Sequence, residues 1–349
     1  MNKKQFDITQ LVRKNVAGLK PYSSARDEFT DFDQDMIFLD ANENPYENGV
    51  NRYPDPQQRN LKSILSDQKK VSDQNILLGN GSDEVLDLIY RAFCEPEVDN
   101  IITLPPTYGM YTVLANINNV EEKKVLLNED FQPNVEEIFN TVNGNSKLLF
   151  ICSPNNPSGN LIDRGRILQI LERFEGIVVI DEAYIDFTDK KSWVEDLNTY
   201  PNLIVTQTLS KAYGLAGIRL GVCFASVEII DILNKIKPPY NVNELTQQRA
   251  LERVRDKDQI KTEVNTIIEG RKELEKALSQ VSFVKKVFRS DANFILIRVD
   301  DANKRYDQLI KERIVVRNRS TQPLCESTLR LTVGTKKENE KLVEILKQL

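Results

Sequence analysis

The chain has 349 residues, 40% of them hydrophobic and 28% charged, which is enough for a large buried core. A net charge of −5 leaves no basic excess to neutralise nucleic-acid phosphates, and no apolar run is long enough to span a membrane. Histidine is absent altogether. That excludes Ser-His-Asp and Cys-His catalysis and every histidine-ligated metal site. Proton chemistry then falls to lysine, carboxylate, tyrosine or a cofactor.

The first residues, Met1 to Asp7, carry charge with no apolar segment behind them, so no secretory signal is expected. Cys94, Cys152, Cys223 and Cys325 are scattered without a C-x-x-C pair, as in reduced thiols of a cytoplasmic protein. Residues 1–35 read as an N-terminal helix and an extended arm broken at Pro21-Tyr22-Ser23-Ser24. Met36-Ile37-Phe38-Leu39 reads as a short strand, ended by the Asn- and Pro-rich loop Asp40-Ala41-Asn42-Glu43-Asn44-Pro45. Asn51-Arg52-Tyr53-Pro54 is a second rigid loop.

From about residue 60 to 240, apolar strands alternate with helix-length segments, the pattern of a parallel sheet covered on both faces. Asn75–Leu78 is a strand leading into Gly79-Asn80-Gly81-Ser82-Asp83-Glu84 and then a helical apolar stripe from Val85 to Phe93. The glycine turn leaves two readings open. Backbone N–H groups at the helix start can hold a phosphate, or Ser82 or Asp83 can simply cap the helix. Glu84 stands where a dinucleotide fingerprint has its third glycine. Asn100–Leu104 is a strand stopped by Pro105-Pro106, with Tyr108 beyond it. Lys147–Cys152 ends in Ser153-Pro154-Asn155-Asn156-Pro157-Ser158-Gly159, a rigid turn that can also fix an amide for a ligand.

Gly176–Ile180 ends in Asp181-Glu182-Ala183-Tyr184. It looks like a Walker-B strand, but no G-x-x-x-x-G-K-[ST] segment accompanies it, which excludes an ATPase. The acid can cap the strand, pair with a buried cation or keep a pyridinium nitrogen protonated. Leu203–Val205 leads into Thr208-Leu209-Ser210-Lys211, followed by Arg219 behind two glycines. A lysine screened by apolar neighbours is a candidate amine nucleophile, although most lysines at strand ends are surface residues. Ligands of such sheets bind beyond the carboxyl ends of the strands, where all these loops lie. Past Pro238-Pro239 a charged helical stretch, Glu244 to Val281, precedes short strands at Phe283–Phe288, Asn293–Val299, Ile314–Arg317 and Leu329–Val333. The expected organisation is an arm (1–35), a large α/β domain (36–240) and a small α+β domain (241–349).

A phosphate cradle, an aromatic, an Asn-Pro turn, an Asp-x-x-Tyr pair, a Ser-Lys and an arginine all fall at one sheet edge. They are the parts pyridoxal phosphate requires. Together with Leu19-Lys20-Pro21-Tyr22, Leu39–Pro45, Asn51–Pro54, Pro105–Tyr111 and Leu329-Arg330-Leu331-Thr332-Val333-Gly334, they resemble the fold-type-I pyridoxal-phosphate enzymes of the aspartate-aminotransferase superfamily. More narrowly they resemble the histidinol-phosphate aminotransferase family.

The resemblance implies that Lys211 takes the cofactor covalently and, once freed, moves the substrate proton. It implies that Asp181 pairs with the pyridine nitrogen, that Asn156 and Tyr184 bond the ring oxygen, and that Tyr108 stacks on the ring. The cofactor phosphate falls to the Ser82 and Asp83 amides, the Thr208 and Ser210 hydroxyls and Arg219, with Tyr53 reaching in from the neighbouring subunit of a homodimer. Arg317 and Arg330, with Asn42 and the partner's Tyr22, bind the substrates, namely histidinol phosphate and glutamate or 2-oxoglutarate. Ser158 stands where the family's turn usually has Thr, and Ser82 where Ala also occurs. Rival readings are a sister enzyme (an aromatic-amino-acid aminotransferase or threonine-phosphate decarboxylase), a nicotinamide-dependent dehydrogenase using Gly79–Glu84, and a non-catalytic binding protein.

Overall fold

A computed structural model of the chain describes residues 6–21 and 37–349. Its organising feature is a seven-stranded sheet. The strands are β1 (Ile76–Asn80), β2 (Asn100–Thr103), β3 (Glu121–Lys124), β4 (Ser146–Cys152), β5 (Ile177–Asp181), β6 (Leu203–Thr208) and β7 (Leu220–Ala225), in the order β1-β7-β6-β5-β4-β2-β3. Pairing is parallel from β3 through β6, while β7 runs antiparallel to both its neighbours.

Central strands are buried on both faces, so their sequences are continuous apolar runs rather than alternating ones. In β5, Val178 and Ile180 enter one core while Ile177 and Val179 enter the core on the opposite face. The glycine turn behaves as the sequence suggests, and α3 (Ser82–Phe93) follows it; the shorter α1 (Lys14–Ala17) and α2 (Arg59–Lys69) precede it. The chain then adds α4 (Met110–Ile117), α5 (Val135–Thr141), α6 (Arg164–Arg173) and α7 (Val227–Ile236) around the sheet.

The long charged stretch is two helices rather than one. α8 (Glu244–Arg255) stops at Asp256, whose side chain accepts from the Gln259 N–H and starts α9 (Lys257–Leu278). Ala250 and Val254 of α8 pack into the core of the large sheet. The second sheet is antiparallel, in the order β10-β11-β9-β8, from β8 (Val284–Val287), β9 (Phe294–Val299), β10 (Arg317–Asn318) and β11 (Thr328–Thr332), with α10 (Ala302–Lys311) and α11 (Lys336–Gln348).

Alternation divides the second sheet's faces. Ile295, Ile297, Leu329 and Leu331 pack with Leu274, Leu278, Leu342 and Leu346 in a local core. Phe294 and Leu296 point the other way, into clusters shared with Tyr184 and with the large sheet. This face carries Arg330, and the register sets Arg317 directly opposite it.

Three sequence expectations are corrected. Residues 37–39 form no strand; Ile37 and Leu39 are exposed, so the apolar run lacks a sheet edge to join. In place of the expected N-terminal helix, residues 6–21 hold a 3-10 turn at Ile8–Gln10 and the one-turn α1. Strands β3 and β7 went unread, the first because Glu121-Glu122-Lys123-Lys124 carries no apolar signal.

Candidate active site

The cleft forms where β4, β5 and β6 end and the second sheet leans over them. Asp181, the last residue of β5, is 3% exposed. Its carboxylate accepts from the Tyr111 hydroxyl (2.9 Å) and the Ala183 N–H (3.1 Å), and forms no ion pair among the described residues. Burial pushes its pKa up to about 6, against the hydrogen bonds from Tyr111 and Ala183, which favour the ionised form. Tyr111 is fully buried and stacks on Phe150 at 4.8 Å, which fixes the direction of its hydroxyl. Sequence reasoning missed this tyrosine as a partner of Asp181. The signal available was its place on the first turn after Tyr108-Gly109.

The phosphate-cradle geometry starts from Gly81. It occupies φ +81° and caps α3 without a side chain, so neither Ser82 nor Asp83 is the cap and the plain-cap reading fails. A Cβ at Gly81 would lie 2.7 Å from the Arg219 guanidinium. From β7, Gly221 lets the strand run against the helix start, where a Cβ would sit 2.3 Å from the Ser82 nitrogen. Arg219 lies 3.6 Å from the Asp83 carboxylate, which also accepts from the Tyr108 hydroxyl at 3.0 Å. The Thr208 hydroxyl accepts the Ser210 N–H (3.1 Å) and donates to the Leu220 carbonyl (3.2 Å), tying the Lys211 loop to β7. The N-terminus of α3, the Thr208–Ser210 turn and the Arg219 guanidinium therefore lie together, the kind of donor set that suits an anion.

Lys211 leaves this loop with its amine 5.8 Å from the centre of the Tyr184 ring. The side chain opens into the cleft, yet its pKa is lowered, first by the desolvating walls and then by Arg330 and Arg219; Asp181 and Asp83 oppose the shift. Tyr184 is buried, and its ring meets Phe294 edge-on at 5.1 Å. Asn155 and Asn156 divide the labour of their turn. Asn155 is structural, donating to the Pro106 carbonyl (2.9 Å) and Ser158 Oγ (2.7 Å). Asn156 turns its Oδ1 to Arg330 Nη1 at 2.5 Å, which leaves its NH2 as the free end.

Arg330 lies over the Phe294 ring at 5.1 Å, and its Nε is buried without a partner. Burial and the nearby Arg319 lower its pKa. Arg317 opposes it across the ladder and is exposed. One copy of the chain does not bring in every expected residue. Tyr53 is half-exposed and stacks on Tyr240 at 4.4 Å, while Asn42 is exposed at φ 55°. Tyr22 lies outside the described residues. No group of acidic or cysteine side chains among the described residues could hold a metal ion, and no helix there is long and apolar enough to cross a membrane.

Fold and cleft define a transaminase-type site, and the chain belongs to the aminotransferase class I and II family, whose model matches residues 35–346. Over 345 residues it is 64% identical to the histidinol-phosphate aminotransferase of Flavobacterium johnsoniae, covering 99% of each chain. The crystal structure of the histidinol-phosphate aminotransferase from Clostridium acetobutylicum superposes with a TM-score of 0.79 at 28% identity, covering 86% of this chain and 90% of that one. A Sinorhizobium meliloti structure, solved as a histidinol-phosphate aminotransferase in complex with pyridoxal-5'-phosphate, shares the fold at 22% identity. Its TM-score is 0.78, over 85% of this chain and 82% of that one. Membership of this family overturns the dehydrogenase reading of Gly79–Glu84.

Proposed function

We propose that the chain is a pyridoxal-phosphate-dependent transaminase. It exchanges an amino group between histidinol phosphate and 2-oxoglutarate, giving imidazole-acetol phosphate and glutamate. The observation that carries the chemistry is Asp181, a buried carboxylate at a strand end with no cation of its own. Such a group is costly unless a cationic ligand meets it, and a protonated pyridine is the cation this cleft suits. The glycine-lined cradle at Ser82, Thr208, Ser210 and Arg219 fits the cofactor's phosphate. The choice of substrate rests on the full-length likeness to the Flavobacterium enzyme.

Bound there, pyridoxal phosphate supplies an aldehyde carbon and a ring that stores the electron pair of a broken C–H bond. Asp181 would keep the ring nitrogen protonated, with Tyr111 holding Asp181 in place. Asn156 would offer its NH2 and Tyr184 its hydroxyl to the ring oxygen, and Tyr108 would lie against the ring. Lys211 would hold the cofactor's aldehyde end and, once freed, would carry a proton from the substrate carbon. Burial, and then Arg330 and Arg219, lower the Lys211 pKa, which favours the neutral amine that such chemistry uses.

Arg317 and Arg330 bind the phosphate of one substrate and a carboxylate of the other, since guanidinium matches both. The molecule works as a homodimer in the cytoplasm, with Tyr22, Asn42 and Tyr53 completing the neighbouring site. A large domain at 36–240 and a small one at 241–349 frame the cleft, with α8 lying on the large sheet's core. Borohydride treatment of cofactor-loaded protein should leave a pyridoxyl adduct on Lys211; an unlabelled Lys211 would sink the assignment. Steady-state rates should favour histidinol phosphate over phenylalanine, and the reverse preference would move the chain to a sister activity.

A further inference from the structure

Strand β10 ends at Asn318, but its ladder with β11 continues one step further. Arg317 opposes Arg330, and the Arg319 N–H donates to the Thr328 carbonyl at 3.0 Å in the same register. Side chains two apart on a strand share a face. Arg319 therefore stands beside Arg317 on the face that carries Arg330, the face turned to the Lys211 cleft. It is half-buried, its Nε is shielded from solvent without a hydrogen-bond partner, and the neighbouring Ser320 hydroxyl is unpartnered too.

None of the three arginines forms an ion pair with a carboxylate among the described residues. A further cation on this face, Arg298, is by contrast tied to the Leu324 and Glu326 carbonyls. Burial and then Arg319 and Arg317 lower the Arg330 pKa, burial and then Arg317 lower that of Arg319, and the Tyr184 hydroxyl favours the charged form of both, so their charges share one space. Gathering three guanidinium groups without a counter-ion costs folding free energy. An anionic ligand offsets that cost.

We propose that Arg319 is a third arm of the substrate anion pocket and the residue that tells a phosphate monoester from a carboxylate. A carboxylate offers two oxygens and one charge, which one or two guanidinium forks satisfy. A phosphate monoester carries three terminal oxygens and nearly two charges at neutral pH, leaving an oxygen and most of a charge for a third donor. Arg317 and Arg330 serve both anions, whereas Arg319 acts on the phosphate. The idea rests on the substrate reading given above, and its test can be separated from that reading.

The test uses cofactor-loaded protein, whose cofactor phosphate cradle is filled. Calorimetric affinities for inorganic phosphate and for glutarate are compared in the wild type, Arg319→Gln and Arg319→Lys, beside KM values for histidinol phosphate and glutamate. Loss of a charge-assisted fork predicts that Arg319→Gln weakens inorganic phosphate and raises the histidinol-phosphate KM by about tenfold or more. Glutarate affinity and the glutamate KM should change less than about threefold, with Arg319→Lys between wild type and Gln for phosphate alone. Equal losses for both anions, or no loss for either, overturn the proposal. Should Arg319→Gln not fold, the Lys variant carries the same contrast. If the wild type fails to turn over histidinol phosphate, the substrate reading falls, while the phosphate-to-glutarate ratio still decides the role of Arg319.

Discussion

Asp181→Asn is the sharpest test of how this cleft is built. The carboxyl is ordinarily near 3.8 and is pushed up to about 6 by burial. A carboxyl whose pKa is raised on folding binds its proton more tightly in the folded state. Its contribution to stability is therefore complete below the unfolded value and lost as pH rises through the folded one. The gap of roughly two units, at about 1.4 kcal/mol per unit, means that ionised Asp181 costs cofactor-free protein about 3 kcal/mol above pH 6. Asparagine keeps the shape, can accept from the Ala183 N–H and can donate to the Tyr111 hydroxyl, but never charges. Urea unfolding of cofactor-stripped wild type and variant, at one protein concentration, should show the variant more stable by about 2–3 kcal/mol at pH 8. The advantage should shrink toward zero as pH falls to about 4. Cofactor affinity and turnover should fall together in the same variant. A variant equally or less stable than wild type at pH 8 would refute the reasoning, because Asp181 would then not be a strained charge awaiting a cation.

Two further substitutions probe its surroundings. Tyr111→Phe removes the hydroxyl that donates to Asp181 at 2.9 Å. Losing a bond to a charged group worth about 1.5–3 kcal/mol should raise the Asp181 pKa by a further one to two units. Cofactor affinity should then weaken most at the acid end of a titration from pH 8 to about 6; an unchanged pH profile would count against the pairing. Gly221→Ala sets a Cβ 2.3–2.6 Å from the backbone of Gly81 and Ser82. No side-chain rotation relieves that clash, so a loss of about 1–3 kcal/mol and weaker cofactor binding are expected. Gly217→Ala, with nothing within 4 Å of the added carbon, is the control.

The sheet could be read from the sequence because its inner strands are buried on both faces and therefore spelled as unbroken apolar runs. Ile177 to Asp181 emerges within one residue of its expected bounds, and Leu203 to Thr208 starts where expected and runs three residues further. The same rule misled at residues 36–39. An apolar run reports what a segment buries, and Ile37 and Leu39 bury nothing within one copy of the chain. Asn156, Asp181 and Lys211 stood out in the sequence because each ends or follows a strand, where packing gives a residue less to do; the structure brings them to one cleft. Partnerships across the chain were not legible. Arg330 meets Asn156 across 174 positions, and Tyr111 meets Asp181 across 70, distances over which no local pattern carries a signal. Arg319 was passed over for a different reason. Its position becomes meaningful only once the register sets Arg317 against Arg330 and continues through the Thr328 carbonyl.

These electrostatic pieces are coupled. The arginines proposed to hold anions, Arg330 for substrate and Arg219 for the cofactor phosphate, are also the two cations that lower the Lys211 pKa. An anion on either one cancels part of that charge, so the repulsion on a protonated Lys211 weakens and its basicity rises. The lysine is thus more basic once anions are seated on Arg330 and Arg219 than in a cleft without them. Asp181 and Asp83 pull the other way. In a chain without histidine, a lysine tuned by neighbouring charges would do the work that an imidazole with a pKa near neutrality does elsewhere.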